Sequence, residues 1–373
     1  MLGRVARQRH MTANLCNPRP WWRLIIQTRR TFSAFNAPSN HRFTHIPHIH
    51  LAKRNPHVIP DRKTRMAPSH PQSLSTSASH AAESKTPDWS AQQYLKFGDE
   101  RTRPVHDLVA QVLPLIGRPN PRIYDLGCGP GNSTEVLADA FPGTNIKGMD
   151  SSPDMLRKAN ATFKSRDGAQ ARAVTFEEGN LETYLPDEGA DLLFSNAVFH
   201  WLRSPKRIPA LIRLLETLKP GGVLAFQVPD NYDEPSHSSM RAVALQPSQP
   251  WSSSFSSSHI GNLSNSARPD LDPIESPSTF YKALIPYCQS VNLWRTQYQH
   301  VLSDHKSIVE WVKGTGLQPY LNRIDEGTGE AKKSFLHEYE RVLTDEYETI
   351  GVGGGEEKVL LQYPRLFVVA VRK

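Results

Sequence analysis

One motif restricts the fold of this chain more than any other. A short apolar run, RIYDL at 122–126, leads into CGPG, with glycines at 127, 129 and 131, and then into a helix-forming segment at 133–140. A strand that ends in a glycine-rich turn and feeds a helix is the opening unit of an α/β sheet. The alternation then repeats. Residues 145–149 read as a second strand, 153–163 as a helix, and 174–177 and 191–195 as two more strands. The 205–218 stretch places Ile208, Leu211, Ile212, Leu215 and Leu218 at helical spacing, and KPGG at 219–222 stops it before a fifth strand at 223–228. Short apolar strands alternating with helices predict a doubly wound, mostly parallel, Rossmann-like sheet.

The flanks differ in character. A helical segment at 90–116 precedes the sheet, within a core expected over residues 88–245. Residues 246–279 read as a disordered insertion, since 246–280 hold eleven serines and five prolines. Residues 280–373 read as a helical cap with closing strands: helices at 279–290, 307–314 and 331–344, and a strand pair at 290–301 and 363–371.

Residues 1–87 form a basic arm. They hold 14 Lys and Arg against two acids, Asp61 and Glu83, so the net charge of +7 belongs to the arm and the remainder is mildly acidic. A nucleic-acid partner would need a basic face on the globular part, so none is expected. Three cysteines without metal or disulfide spacing point to a reducing compartment and no metal site. No apolar run approaches the roughly 20 residues of a membrane span. Up to residue 60 the arm has nine arginines, one lysine and no acid, and RRTFSAF at 29–35 resembles a processing site. It therefore reads as a mitochondrial transit peptide, the alternative being a cytoplasmic protein with an unaddressed basic extension. A monomer is expected.

The glycine spacing bears on the ligand. A dinucleotide loop is G-x-G-x-x-G, but position 132 is Asn, and the Lys-Ser/Thr ending of a P-loop is absent. Asp125 at the strand end would repel a pyrophosphate and suit a cation. Glycines let the backbone approach the ligand. S-adenosylmethionine fits: it has no phosphate, an α-amino group and a sulfonium. Asp150, in KGMDSS after the second strand, stands where a carboxylate holds a ribose; NAD enzymes share this feature. A plainer role for Asp150 is capping the helix near Pro153, which Ser151 or Ser152 also suits.

These motifs carry a resemblance. DLGCGPGNST, GMDSSPDM and NAVFHWL look like class I S-adenosylmethionine-dependent methyltransferases. YLKFGDERTRP, VPDNYDEPSH, LWRTQYQH, WVKGTGLQPYL and PRLFVVA extend the likeness to trans-aconitate methyltransferases. The resemblance implies that Asp125 and the backbone of Gly127, Cys128, Gly129 and Gly131 meet the methionine end of the cofactor. It implies Asp150 and Ser151 at the ribose, Asn180 and Leu181 at the adenine, and Asn196 beside the methyl donor. Asn180 departs from the acidic residue of relatives, and Cys128, between two glycines, reads as a small filler rather than a reactive thiol.

The implied substrate is a small polycarboxylic acid, one carboxylate of which becomes a methyl ester. A carboxylate is ionised at neutral pH, so no base is required and no catalytic residue is certain. Arginines suit the remaining carboxylates, and Arg101, Arg103, Arg295 and Arg365 are the candidates. On a helix, positions i and i+2 face apart, so only one of Arg101 and Arg103 is expected to point inward. Tyr94, Trp201 and Trp311 are candidate pocket walls, and His200 is a candidate donor to a carboxylate; core packing is the plainer role for such aromatics. Competing readings are another class I methyltransferase, for instance one acting on a quinone precursor, and a non-catalytic cofactor-binding module. A hydride-transfer enzyme is opposed by the glycine spacing and Asp125.

Overall fold

The computed structural model describes residues 97–165, 173–187, 189–324 and 329–373. The basic arm, and with it Tyr94, lies outside the described residues. One eight-stranded sheet organises the rest, in the order β3-β2-β1-β4-β5-β8-β6, with β7 paired to β8. The strands are β1 Ile123–Leu126, β2 Ile146–Asp150, β3 Val174–Glu178, β4 Ala190–Asn196, β5 Leu218–Pro229, β6 Cys288–Leu302, β7 Thr349–Gly353 and β8 Glu356–Arg372. The first five run parallel. β8 is antiparallel to both β5 and β6. The expected closing pair is therefore present, but as longer strands, and the β7 hairpin has no counterpart in the sequence reading.

The helices are α1 Gly98–Val112, α2 Asn132–Ala140, α3 Pro153–Lys164, α4 Ser204–Thr217, α5 Pro235–Ala244, α6 Pro277–Leu284, α7 His305–Lys313, α8 Gln318–Leu321 and α9 Glu330–Glu346. β1 and β4 are buried at every position because helices cover both faces of the sheet. One apolar layer joins β5 and β8 to α4 and α6 through Phe226, Leu211 and Phe280. Another joins β1 and β4 to α1 and α2 through Phe194, Leu108 and Leu137. A third lies under the C-terminal cap, around Trp311, Tyr339 and Phe335.

The stretch at 246–279 corrects an expectation. It is folded onto the cap. Trp251 is 1% exposed, its Nε1–H donates to the Val243 carbonyl at 2.9 Å, and its ring meets Phe335 edge-on at 5.3 Å. Phe255 and Ile260 are buried beside it. Further on, Arg268, Asp270 and Asp272 are buried together, and Asp272 pairs with Arg203 at 2.9 Å and accepts from the Ser204 N–H at 2.7 Å. Glu275 pairs with fully buried Arg207 at 2.5 Å. Serine content hid three apolar anchors and a paired set of charges, which together suffice to order the segment.

Candidate active site

The order of the strands reverses between β1 and β4, and a cavity opens at their carboxyl ends, where ligands bind in such sheets. Its volume is about 300 Å³. One end is the turn between β1 and α2. Gly127, Gly129 and Gly131 have φ of +73°, +55° and +100°, the left-handed region that favours glycine. At Gly127 a Cβ would fall 2.3 Å from Val198 Cγ2, so only glycine fits the close approach of this turn to the loop after β4. The turn is pinned to β2, since the Gly127 and Cys128 N–H groups both donate to the Met149 carbonyl, at 2.7 and 2.9 Å.

Asp150 lines the same end. Its Oδ2 accepts from the Gly129 N–H and its Oδ1 from the Ser152 N–H, each at 2.9 Å. Burial raises its pKa while these N–H groups oppose the rise. Ser152, not Asp150, caps α3 by accepting from the Met155 N–H at 3.3 Å. The carboxylate is thus held rigidly at the cavity wall and retains lone pairs for a ligand's hydroxyls. Ser151 and Leu181 also line the cavity. Asn180 stands at its rim, but its Oδ1 already accepts from the Glu182 N–H at 2.9 Å and shapes the turn that follows. That geometry counts against the side-chain adenine contact the resemblance implied.

Asp125 and Gly131 are not cavity-lining. Asp125 is wholly buried behind the turn, where Oδ2 accepts from Ser133 Oγ at 2.7 Å and Thr134 Oγ1 at 2.6 Å and Oδ1 has no protein partner. Burial pushes its carboxyl up to about 6, against the lowering effect of the two hydroxyls. Cys128 lines the cavity as a buried thiol; burial, with Asp125 and Asp150 nearby, raises its pKa and keeps it protonated.

The opposite end of the cavity is cationic. Arg101 from α1 is 7% exposed and Arg365 from β8 is 4% exposed, and both line the wall. Arg101 donates to the Trp311 carbonyl at 2.9 Å and lies over the Trp311 ring at 5.1 Å. Arg365 donates to Gln227 Oε1 at 3.0 Å and lies over Tyr363 at 5.0 Å. These contacts fix both guanidinium groups. His200, Trp201 and Trp311 share this wall. Burial, then the charges of Arg207 and Arg365, holds the His200 imidazole well below the usual histidine range, so it is neutral. Its Nδ1 is buried without a hydrogen-bond partner.

Two candidates fall elsewhere. Arg103 is exposed and lies over the Tyr298 ring at 5.5 Å. Arg295 is on the outer strand β6, half-exposed, and pairs with Asp230 at 2.7 Å. Neither lines the cavity. The structure adds residues the sequence reading missed. His237 and Asn231 line the wall, as does the Gly314–Thr315–Gly316 turn. They sat inside two quoted motifs, 228–237 and 311–321, and membership of those motifs was the signal that could have found them. Leu271 reaches the cavity from the serine-rich stretch.

A family model described as a methyltransferase domain matches residues 124–224. A trans-aconitate 2-methyltransferase of Rhodopseudomonas palustris strain BisB18 is 43% identical over 286 residues, 76% of this chain and 99% of the relative. One of Agrobacterium fabrum is 44% identical over 288 residues, with the same shares. This chain belongs to that family. A solved geranyl diphosphate C-methyltransferase of Streptomyces coelicolor, with S-adenosyl-L-homocysteine bound, covers 72% of this chain and 78% of itself at 14% identity and a TM-score of 0.37. By its membership of the trans-aconitate 2-methyltransferase family, and not by that remote likeness, the chain is an S-adenosylmethionine-dependent methyltransferase. Among the described residues of this methyltransferase, no helix is long and apolar enough to cross a membrane, and no group of His, Cys, Asp and Glu could hold a metal.

Proposed function

We propose that this methyltransferase esterifies one carboxylate of trans-aconitate, binding the cofactor at the glycine-turn end and the acid at the arginine end of one cavity. The observation that carries the reading is the polarity of that cavity. Of the acids on its wall, Asp150 lies against the glycine turn and Glu182 pairs with Lys206 at 2.7 Å, while the arginines, Arg101 and Arg365, come from α1 and β8. A cationic donor and a polyanionic acid are thereby sorted by charge before they meet.

The residues present fit the cofactor. The turn without side chains gives it backbone contact, Asp150 takes the ribose hydroxyls, and Leu181 packs on the adenine. When bound, S-adenosylmethionine supplies an electrophilic methyl group on a positively charged sulfur. The protein's part is placement. Arg101 and Arg365 hold the two carboxylates that are not methylated, so the third is left facing the methyl group. Holding the reacting atoms in line contributes on the order of 7–11 kcal/mol to such a step. No base is needed, which agrees with wall histidines held too far below their usual range to take up a proton near neutral pH. The test is methyl transfer from labelled cofactor to a panel of di- and tricarboxylic acids and quinone precursors. Turnover confined to the tricarboxylate supports the reading, and preference for a quinone precursor overturns it.

We further infer that the basic arm addresses the protein to mitochondria, on the strength of its arginine-rich, acid-free composition, and that the enzyme acts as a monomer. A fluorescent fusion of residues 1–60 tests the first: a diffuse cytosolic signal overturns it. Light scattering of the purified chain tests the second.

A further inference from the structure

Gln227 lies inside β5, 0% exposed, beside Asn196 of β4 in the sheet register. It joins the two ends of the cavity without lining it. Its Oε1 accepts from Arg365 Nη1 at 3.0 Å, and its Nε2 donates to Asn196 Oδ1 at 2.5 Å. Its backbone carbonyl also accepts from the Ala197 N–H at 2.9 Å. That bond holds Ala197 at φ +57°, a left-handed conformation that a residue with a Cβ seldom adopts. The turn after β4 is therefore held under strain by the same residue that touches Arg365.

The direction of this relay follows from chemistry. An arginine can only donate, so Gln227 must turn its oxygen to Arg365 and its NH₂ to Asn196. Asn196 must then accept with Oδ1. Its own Nδ2 is left over, makes no bond to another of the described residues, and belongs to a side chain on the cavity wall. Were residue 365 neutral and able to accept, both amides could turn over and Asn196 would show the cavity an oxygen.

We propose that Gln227 is a positioning residue which, oriented by Arg365, sets the Asn196 amide so that Nδ2 donates to the carboxylate that receives the methyl group. This rests on the functional reading above. The step it serves is a displacement. A lone pair of the carboxylate oxygen forms the new O–C bond. The S–C bond breaks with its electron pair remaining on sulfur, giving an ester and a neutral sulfide, and no proton moves. A neutral amide N–H aligns the oxygen while drawing off less electron density than a guanidinium would. The charged arginines serve the spectator carboxylates, and the uncharged donor serves the reacting one.

Two near-isosteric variants separate this role from simple packing. Gln227→Glu keeps an acceptor for Arg365 but has no N–H, so Asn196 must turn its NH₂ inward and its oxygen toward the substrate carboxylate. Asn196→Asp keeps an acceptor for Gln227 and removes the N–H facing the cavity. Both are expected to lower kcat for trans-aconitate by roughly ten- to a hundred-fold, the loss of one hydrogen bond to a charged group. In Gln227→Glu, whose residue does not line the cavity, the Kd for S-adenosylhomocysteine should stay within about twofold, which a merely misfolded site would not allow. In the wild-type enzyme with S-adenosylhomocysteine bound, adding the acid should shift the Asn196 side-chain amide proton resonances, a measurement that needs no variant to fold. Unshifted resonances, or variants that match the wild type in kcat, overturn the inference. A wild type that transfers no methyl to the acid overturns the functional reading and this inference with it. A wild type that does so beside equally active variants overturns this inference alone.

Discussion

The carboxylate of Asp150 accepts a hydrogen bond from the backbone of Gly129 at 2.9 Å, so the end of β2 and the glycine turn after β1 form one rigid unit. A single side chain therefore shapes the turn and faces the cavity. Asp150→Ala is expected to raise the Kd for S-adenosylhomocysteine at least roughly tenfold, since it removes hydrogen bonds to a charged group and loosens the turn. Calorimetry checks this, and an unchanged Kd would remove Asp150 from the ribose.

The four arginine candidates split two and two. Arg101→Ala and Arg365→Ala should raise KM for the acid or lower kcat/KM by roughly ten- to a hundred-fold, the loss of a bidentate carboxylate contact, with cofactor binding near normal. Arg103→Ala and Arg295→Ala should leave both within about twofold, because an exposed charge or surface ion pair contributes little. Steady-state kinetics on all four distinguishes a true subsite from a generally cationic surface; equal effects across the set would contradict the placement.

Much of this was legible in the sequence because the signals were local. The β1 turn announced itself through its glycines, and α4 through its apolar spacing. Helical geometry required that Arg101 and Arg103 face apart, but which one points inward depends on Trp311, which is 210 positions away from Arg101. Arg365 and Arg295 were equivalent as text. They differ because β8 lies between β5 and β6, which puts Arg365 opposite Pro229 near the end of β5 and Arg295 on the outer strand. Gln227 gave no signal at all, since a lone glutamine in an apolar strand acquires meaning only from its neighbours on β4 and β8.

The serine-rich stretch offers the sharpest contrast between composition and packing. Trp251→Ala should destabilise the fold by about 3–5 kcal/mol, the usual cost of emptying a buried aromatic site. Urea denaturation followed by far-ultraviolet circular dichroism measures it. A change below about 0.5 kcal/mol would restore the expectation of a disordered insertion.

The pH profile should carry no histidine step. Burial, with Arg207 and Arg365 close by, keeps His200 far below its usual range, and burial with Arg241 holds His237 at about 3. Both stay neutral through the physiological range, and the substrate carboxylate is already ionised there. kcat/KM is therefore expected to be flat from about pH 6 to 8. A limb with an apparent pKa near 6.5 would mean that a group of the site changes charge in the catalytic cycle, a histidine or Asp125, whose carboxyl lies at about 6.

Asp125 should act on stability in the direction opposite to most carboxylates. Its folded-state pKa is about 6 against an unfolded value of 3.8, so the folded chain holds the proton more tightly. Protonated Asp125 therefore favours folding below about pH 4, and that contribution declines as pH rises through about 6. Two pKa units correspond to about 3 kcal/mol. Asp125→Asn cannot ionise and keeps an oxygen for the Ser133 and Thr134 hydroxyls. Its unfolding free energy relative to the wild type, measured by urea titration without cofactor, should gain about 3 kcal/mol between roughly pH 4 and 7 and then level off. A gap that stays constant across this range would show that Asp125 is ionised as easily inside the fold as in the unfolded chain, with some cation or water reaching the buried Oδ1.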